Sequence, residues 1–199
     1  MEFVAGHNQV MMPVYARTVA RIPDMHLLFK RFFSICLLRA APQDLPASRF
    51  LLVLALLAYG LVKILLAMNH ATFISALAMS VVDVILLSVF CWSLLWVRLM
   101  SLRYTQTLTA LAGCSAIMAL CAWPLLLWQQ YYDDDTAIRF VSLIVALIIS
   151  LWFLWKIIVF SHIISQALSS PLFIGVLLTI IYIYISFSVS QTLFYQEAV

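Results

Sequence analysis

The amino-acid sequence predicts an all-α integral membrane protein. Hydrophobic residues make up 66% of the 199 residues, and only 10% are charged, whereas a soluble domain carries about 25% charged residues. The mean hydropathy is +1.10, and long apolar runs recur along the chain. The runs lack the period-two alternation of membrane strands, so the sequence favours transmembrane helices over a β-barrel.

Five apolar runs reach the length of about 20 residues that a helix needs to cross the hydrocarbon. Only short connections separate them, so we expect no large domain between the spans. We predict five transmembrane helices at about 50–68, 72–97, 105–128, 138–160 and 172–192.

The residues before the first span predict two further segments. The beginning of the chain lacks the basic start and uninterrupted apolar core of a signal peptide. We therefore expect 1–24 to be a poorly ordered cytoplasmic segment. An interfacial helix and a proline-rich hinge are predicted over 25–48, before a bundle over 49–195.

Basic residues in the flanks predict the orientation, because Lys and Arg accumulate on the cytoplasmic side of a membrane. A cytoplasmic N-terminus and an outer C-terminus put nine of the eleven basic residues inside: Arg17, Arg21, Lys30, Arg31, Arg39, Arg49, Arg98, Arg103 and Lys156. The three acidic residues at 133–135 then lie outside. The four cysteines form no disulfide-type pattern, and with this topology they fit a bacterial inner membrane, with an internal eukaryotic membrane as the alternative.

The stretch "MHLLFKRFFSICLLRA" at 25–40 predicts an amphipathic helix that is too short and too charged to span. His26, Lys30 and Ser34 share one face, and we expect Lys30, Arg31 and Arg39 to lie at the membrane surface. Proline residues at 42 and 46 then end the helix. The alternative is a helix packed against the inner ends of the spans, and the two interpretations are compatible.

This arrangement resembles a known family. A cytoplasmic segment, an in-plane helix, a proline-rich turn, five spans and a short outer C-terminus are carried by "FKRFFSICLLRAAPQDLPAS" and "SHIISQALSSPLFIGVLLTIIYIYIS". In this topology the chain resembles the Yip family of five-span membrane proteins, including its small bacterial members. The resemblance covers about 25–195. It implies the five-span fold, with Rab GTPases and vesicle traffic as the associations of eukaryotic members, and it assigns no functional residue.

Asp83 is the main candidate for a functional residue inside the membrane. It falls about halfway along the second span, where an ionised carboxylate costs about 2.5–3.5 kcal/mol. Ser80 lies on the same helical face, and Lys63 of the first span lies at a comparable depth. We expect an ion pair that is either structural or part of a proton or ion relay, unless Lys63 extends outward and Asp83 is protonated. Tyr182 and Tyr184 lie mid-span on different faces of the fifth helix, so at least one should face the bundle.

Small residues on the third span predict close helix packing. Ala112, Ala116 and Ala119 recur at helical spacing. They fit ordinary packing within the bundle, with a self-association face as the alternative. Lys156 is placed near the inner end of the fourth span, where a lysine can extend to the interface.

The motifs that would indicate enzymatic chemistry are absent from the sequence. It has no phosphate-binding loop, GxSxG or HExxH motif, and we expect no catalytic residue, metal or cofactor. The expected partners are the lipid bilayer and a second membrane protein or a copy of the chain, with no nucleic acid. The sequence favours a non-enzymatic accessory subunit or membrane organiser. The alternatives are a small transporter or channel using Asp83 and Lys63, and then a lipid-acting membrane enzyme.

Overall fold

A computed structural model describes residues 25–69, 71–131 and 139–194 of the chain. The predicted cytoplasmic segment 1–24 and the acidic residues 133–135 lie outside the described residues. The helices are α1 Met25–Cys36, α2 Arg49–Ala67, α3 Phe73–Val97, α4 Tyr104–Tyr131, α5 Arg139–Ala167 and α6 Leu172–Phe194, with short 3₁₀ turns at Pro42–Asp44 and Ser101–Arg103.

Five of these helices, α2 to α6, are long and apolar enough to cross a membrane. The prediction of five apolar spanning helices is therefore confirmed. Thr72 illustrates how the sequence fixes a helix end. Its side chain accepts a hydrogen bond from the backbone N–H of Ser75, which satisfies one of the free donors of the first turn.

The largest difference from the predicted boundaries is at the end of α5. The predicted span stops at residue 160, whereas the helix continues to Ala167. Ser161 and Ser165 turn their hydroxyls back onto the backbone carbonyls of Ile157 and His162, so these polar residues do not interrupt the helix. Ile163 and Ile164 between them are buried, and the segment assigned to a connection is therefore part of the core.

The helix α1 ends earlier than the predicted residue 40. The chain leaves the helix after Cys36, and Leu38 adopts a left-handed conformation with φ of 61°. The backbone N–H of Arg39 then bonds the carbonyl of Ser34 at 2.9 Å. This pairing closes the helix end as a glycine usually does, although no glycine marks the position in the sequence.

The predicted hinge is held by hydrogen bonds to the spanning helices. Asp44 accepts a hydrogen bond from the backbone N–H of Ala41 at 3.0 Å, which closes the 3₁₀ turn. Gln106 of α4 donates to the carbonyl of Leu45 at 2.8 Å. Gln43 donates to the carbonyl of Gln166 in α5 at 3.3 Å. The turn therefore ties α1 to the start of α4 and the end of α5.

The helix α4 lies at the centre of the bundle. It packs against α1, α2, α3 and α5. In its most apolar stretch of 18 residues, 44% of the residues are buried, against 17–22% in the corresponding stretches of the other four spans. Small residues allow these close approaches. Gly113 faces the Phe32 ring of α1 so closely that an added Cβ would overlap the ring.

Candidate functional site: a polar cluster and a lysine cavity within the membrane

Asp83 is the centre of a polar cluster between three spanning helices. Its Oδ2 atom forms an ion pair with Nζ of Lys63 from α2. The Tyr59 hydroxyl, also from α2, donates to Oδ2 at 3.0 Å, and the Ser186 hydroxyl of α6 donates to Oδ1 at 3.0 Å. We call these four residues the Asp83 cluster. They connect α2, α3 and α6 through one carboxylate.

The local sequence explains why these groups meet. Tyr59 and Lys63 are four residues apart on α2, so both lie on one helical face. The short connection between α2 and α3 makes the two helices antiparallel neighbours. Gly60 and Ser80 then set the distance between them, because the Ser80 hydroxyl donates to the Gly60 carbonyl at 2.8 Å.

The cluster compensates the charges that it buries. The side chain of Asp83 is 12% exposed and that of Lys63 is 32% exposed. The carboxylate receives one ammonium and two hydroxyl donors, which an ionised group needs away from water. The Lys63 ammonium also lies 5.6 Å from the centre of the Tyr59 ring. The contacts of Lys63 are therefore electrostatically favourable on both sides.

The structure brings together some of the predicted polar residues and separates others. Asp83 and Lys63 are in direct contact, and Ser80 lies one turn away but bonds the α2 backbone rather than the carboxylate. Tyr182 is buried, with its ring 4.9 Å from that of Phe90. Tyr184 is 72% exposed on the outer surface of the bundle and has no place in the cluster.

Two members of the cluster, Tyr59 and Ser186, were not identified from the sequence. A signal for each was present. Tyr59 precedes Lys63 by one helical turn, and Ser186 follows Tyr182 by one turn. A polar residue one turn from another intramembrane polar residue shares its face, so the same spacing that selected Ser80 beside Asp83 would have selected both.

A second feature is a cavity of about 230 Å³ between α2, α4 and α5. We call it the lysine cavity, because Lys63 and Lys156 both contribute to its wall. Small and large apolar residues form the rest: Leu66, Met118, Ala119, Ala122, Leu126, Ile149, Trp152 and Phe153.

Lys156 lies deeper in its helix than the sequence analysis placed it. Because α5 continues to Ala167, Lys156 is about 16 Å before the helix end at a rise of about 1.5 Å per residue. Its ammonium lies 5.8 Å from the centre of the Phe160 ring. Within the described part of the chain, the one ion pair joins Lys63 to Asp83, and no carboxylate is paired with Lys156.

The predicted packing stripe of α4 divides between two environments. Ala112 and Ala116 are buried in the core at 0% and 7% exposure, as expected for helix packing. Ala119 instead lines the lysine cavity, together with Ala122 one turn nearer the end of the span. The small side chains that allow close packing in one half of α4 leave open space in the other half.

The helix α1 packs against α4 while its basic residues stay exposed. Phe32, Ile35 and Cys36 are buried, whereas Lys30, Arg31 and Arg39 are exposed. Hydrogen bonding with the Cys114 thiol lowers the pKa of the Cys36 thiol below its ordinary value. The described contacts thus show α1 packed against α4, with Lys30 and Arg39 exposed and the Arg31 guanidinium donating a hydrogen bond to the Asp44 carbonyl.

A second apolar space lies beside α1. This groove of about 460 Å³ runs between α4 and α5, with Phe33, Cys36 and Leu37 on its α1 side. Met118 and Trp152 line both the groove and the lysine cavity. The Trp152 indole N–H donates to the Met118 carbonyl at 3.1 Å, so this contact separates the two spaces.

The described residues provide no candidate metal-binding site. No group of three or more His, Cys, Asp or Glu side chains converges among those residues.

Comparisons with protein-family models, with curated proteins and with solved structures found no match. The five apolar helices of spanning length make the chain a polytopic helical membrane protein.

Proposed function

We propose that the protein is a non-enzymatic membrane protein that acts as an accessory subunit or as a Yip-like membrane organiser. Its expected location is a bacterial inner membrane, with the N-terminus in the cytoplasm, as the distribution of Lys and Arg favours. Lys30, Arg31 and Arg39 of the α1 region would then face the cytoplasmic leaflet or a partner subunit.

The observation that carries this proposal is the saturation of Asp83. An intramembrane carboxylate is a functional-site candidate by default. Here its two oxygens accept bonds from Tyr59, Lys63 and Ser186 of two other helices. A carboxylate occupied in this way fastens helices together. These three donors occupy most of the roughly four lone-pair positions of the carboxylate, which leaves little room for a substrate.

Purification of the tagged protein in mild detergent tests the proposal. We expect a second membrane protein to co-elute at a fixed stoichiometry, measured by mass spectrometry and by the native mass of the complex. Replacing Lys30 and Arg31 with Gln should reduce that recovery, whereas Lys63→Met should affect stability more than recovery. A monomer or homo-oligomer that elutes alone would contradict the accessory-subunit role.

The lysine cavity favours a second candidate function, a small transporter or channel. It places two cationic side chains beside a space between α2, α4 and α5 that is open along one side, and Lys63 links that space to Asp83. Such an arrangement could pass an ion or a proton between the cavity and the cluster.

Flux measurements in vesicles distinguish the two functions. If the protein is a transporter that uses the cluster, Asp83→Asn should abolish ion or proton flux while partner recovery is unchanged. If it is an accessory subunit, the wild type and Asp83→Asn should both lack flux above that of empty vesicles.

A further inference from the structure

The two intramembrane lysines differ in how their charges are compensated. Lys63 is paired with Asp83. Lys156 contacts the Phe160 ring but has no carboxylate partner in the described residues. Charged groups within a membrane are usually paired with one another. The lysine cavity therefore has one excess positive charge on its wall.

The cavity combines that charge with an apolar lining. Trp152, Phe153, Leu126 and Ile149 are among its lining residues. A small ligand site commonly has this form, with apolar walls and a few polar groups that fix orientation. A ligand with one anionic group and an apolar tail would match both parts of the wall.

The size of the cavity limits the ligand. Its volume is about 230 Å³, below the roughly 300–1,000 Å³ of sites for drug-sized molecules. The cavity is open along one side, so this volume describes only the part that lies between the helices. A short alkyl chain fits within that part, whereas a longer chain would extend out of the open side.

We propose that the lysine cavity binds a short-chain monocarboxylate. Its carboxylate accepts hydrogen bonds from the Lys156 ammonium, and its alkyl tail lies against Trp152 and Phe153. This site shares the side chain of Lys63 with the Asp83 cluster, but its proposed ligand group is Lys156, and ligand binding requires neither transport nor a partner subunit. The proposal therefore goes beyond the proposed function and does not depend on it.

The charges around the cavity favour a monoanion over other ligands. A cation would be repelled by Lys156, and a neutral molecule would leave its charge unpaired. A dianion would bring a second negative charge close to the Asp83 carboxylate, which already compensates Lys63. One carboxylate neutralises the one excess charge.

Small residues of α4 create the space. Ala119 and Ala122 line the cavity from α4, opposite the larger side chains of α5. A leucine at position 122 would fill much of the volume and leave both lysines in place. The Ala122→Leu variant therefore separates loss of space from loss of charge.

Hexanoate labelled with ¹³C at the carboxyl carbon is the probe, and the full-length protein in phosphatidylcholine nanodiscs is the receptor. Binding is followed by NMR as a saturable change in the carboxyl resonance, against empty nanodiscs as the blank. Hexanamide, which has nearly the same shape and no charge, is the matched competitor. We expect saturation at one hexanoate per chain, with little displacement by hexanamide.

Variants then assign the site. Loss of a hydrogen bond to a charged group corresponds to a loss of affinity of about ten- to a hundredfold, and we expect Lys156→Met to show it. Ala122→Leu should abolish binding. Arg98→Gln, which removes an exposed cation after the end of α3, is the matched control and should bind like the wild type.

Several outcomes would overturn the proposal. Binding that is not saturable, displacement by hexanamide as strong as by unlabelled hexanoate, or wild-type affinity in Ala122→Leu would each contradict it. Wild-type affinity in Lys156→Met would do the same. If Lys156→Met does not fold, the competition with hexanamide and the Ala122→Leu variant still decide the question.

Discussion

The Asp83 cluster and the lysine cavity share Lys63, yet they are opposite kinds of intramembrane environment. In the cluster, donors from α2 and α6 converge on one carboxylate of α3. In the cavity, Lys156 has apolar and aromatic neighbours, and Ala119 and Ala122 leave space. The first region is closed by its polar contacts, and the second is open.

The difference between the two regions shows what decides whether a polar residue closes a membrane bundle. A carboxylate accepts several bonds at once, so it can gather donors from several helices. A lysine without a carboxylate partner makes no such hydrogen bonds to neighbouring helices. The neighbouring helices then approach only as closely as their apolar side chains allow.

The largest expected effect comes from removing the acceptor. Asp83→Ala leaves Lys63 with an uncompensated charge and two hydroxyls without their acceptor. Breaking a buried pair in this way costs about 3–5 kcal/mol, and we expect a loss of that order in the free energy of unfolding. Thermal and denaturant unfolding in detergent would measure it.

Ser186→Ala is the matched control for that change, because it removes one donor and keeps both charges. Hydrogen bonds between membrane helices are worth about 0.6 kcal/mol on average, so we expect a loss of about that size. Equal losses in Ser186→Ala and Asp83→Ala would show that the ion pair does not dominate the cluster.

A double-mutant cycle tests the coupling between the two charges. Asp83→Asn and Lys63→Met, measured singly and together, should give an interaction energy of about 1–3 kcal/mol. The reason is that each single variant leaves the other charge alone. Strictly additive losses would show that Lys63 and Asp83 do not stabilise each other.

Glycine substitutions test how closely the helices approach in different parts of the bundle. A Cβ at Gly175 of α6 would overlap the backbone carbonyl of Ser161 in α5, which cannot move aside as a side chain does. We expect Gly175→Ala to lower the unfolding free energy by about 1–3 kcal/mol, measured by thermal unfolding in detergent.

Gly60→Ala is the comparison for that variant. Its Cβ would lie 3.3 Å from the Ser80 hydroxyl oxygen and 3.7 Å from a methyl of Val84. Alanine stabilises a helix relative to glycine by about 1 kcal/mol, and this gain offsets the cost of the close contact with Ser80. We therefore expect the free energy of unfolding to stay close to that of the wild type. A loss as large as that of Gly175→Ala would mean that the α2–α3 contact is as tight as the α5–α6 contact.

The smallest effect is expected outside the two regions, where α3 ends. Leu99 has φ of 55° and is 92% exposed. This backbone conformation costs a leucine about 1–2 kcal/mol, partly offset by the greater freedom of glycine in the unfolded chain. Leu99→Gly should therefore raise the unfolding free energy by up to about 1 kcal/mol.

The control for Leu99→Gly is a leucine nearby with ordinary backbone geometry. Leu102 is 94% exposed and belongs to a 3₁₀ turn. Leu102→Gly should lower the stability, since glycine gains nothing there. The same thermal measurement on both variants separates the effect of backbone conformation from the loss of an exposed apolar side chain.

Hydropathy predicted most of the fold, because the length of an apolar run indicates directly whether a helix can span a membrane. It failed where packing overrode composition, as at Ser161 and Ser165, whose hydroxyls bond their own helix and let α5 continue. Leu38 shows a second limit, since no residue type in the sequence marks its left-handed turn.

The candidate site was also predictable only in part. The antiparallel neighbourhood of the first two spans and the comparable depth of the two residues were enough to predict the pairing of Asp83 with Lys63. The lysine cavity could not be foreseen, because it depends on which faces of α2, α4 and α5 meet and on which face of α4 the small residues lie.

The indole of Trp152 lies between the groove beside α1 and the lysine cavity. Trp152 and Met118 form part of the wall of each, and their hydrogen bond holds that wall in place. The groove beside α1 and the lysine cavity therefore adjoin at these two residues. A change at Trp152 would alter the walls of both spaces at once, so this one position couples the α1 side of the bundle to the surroundings of Lys63.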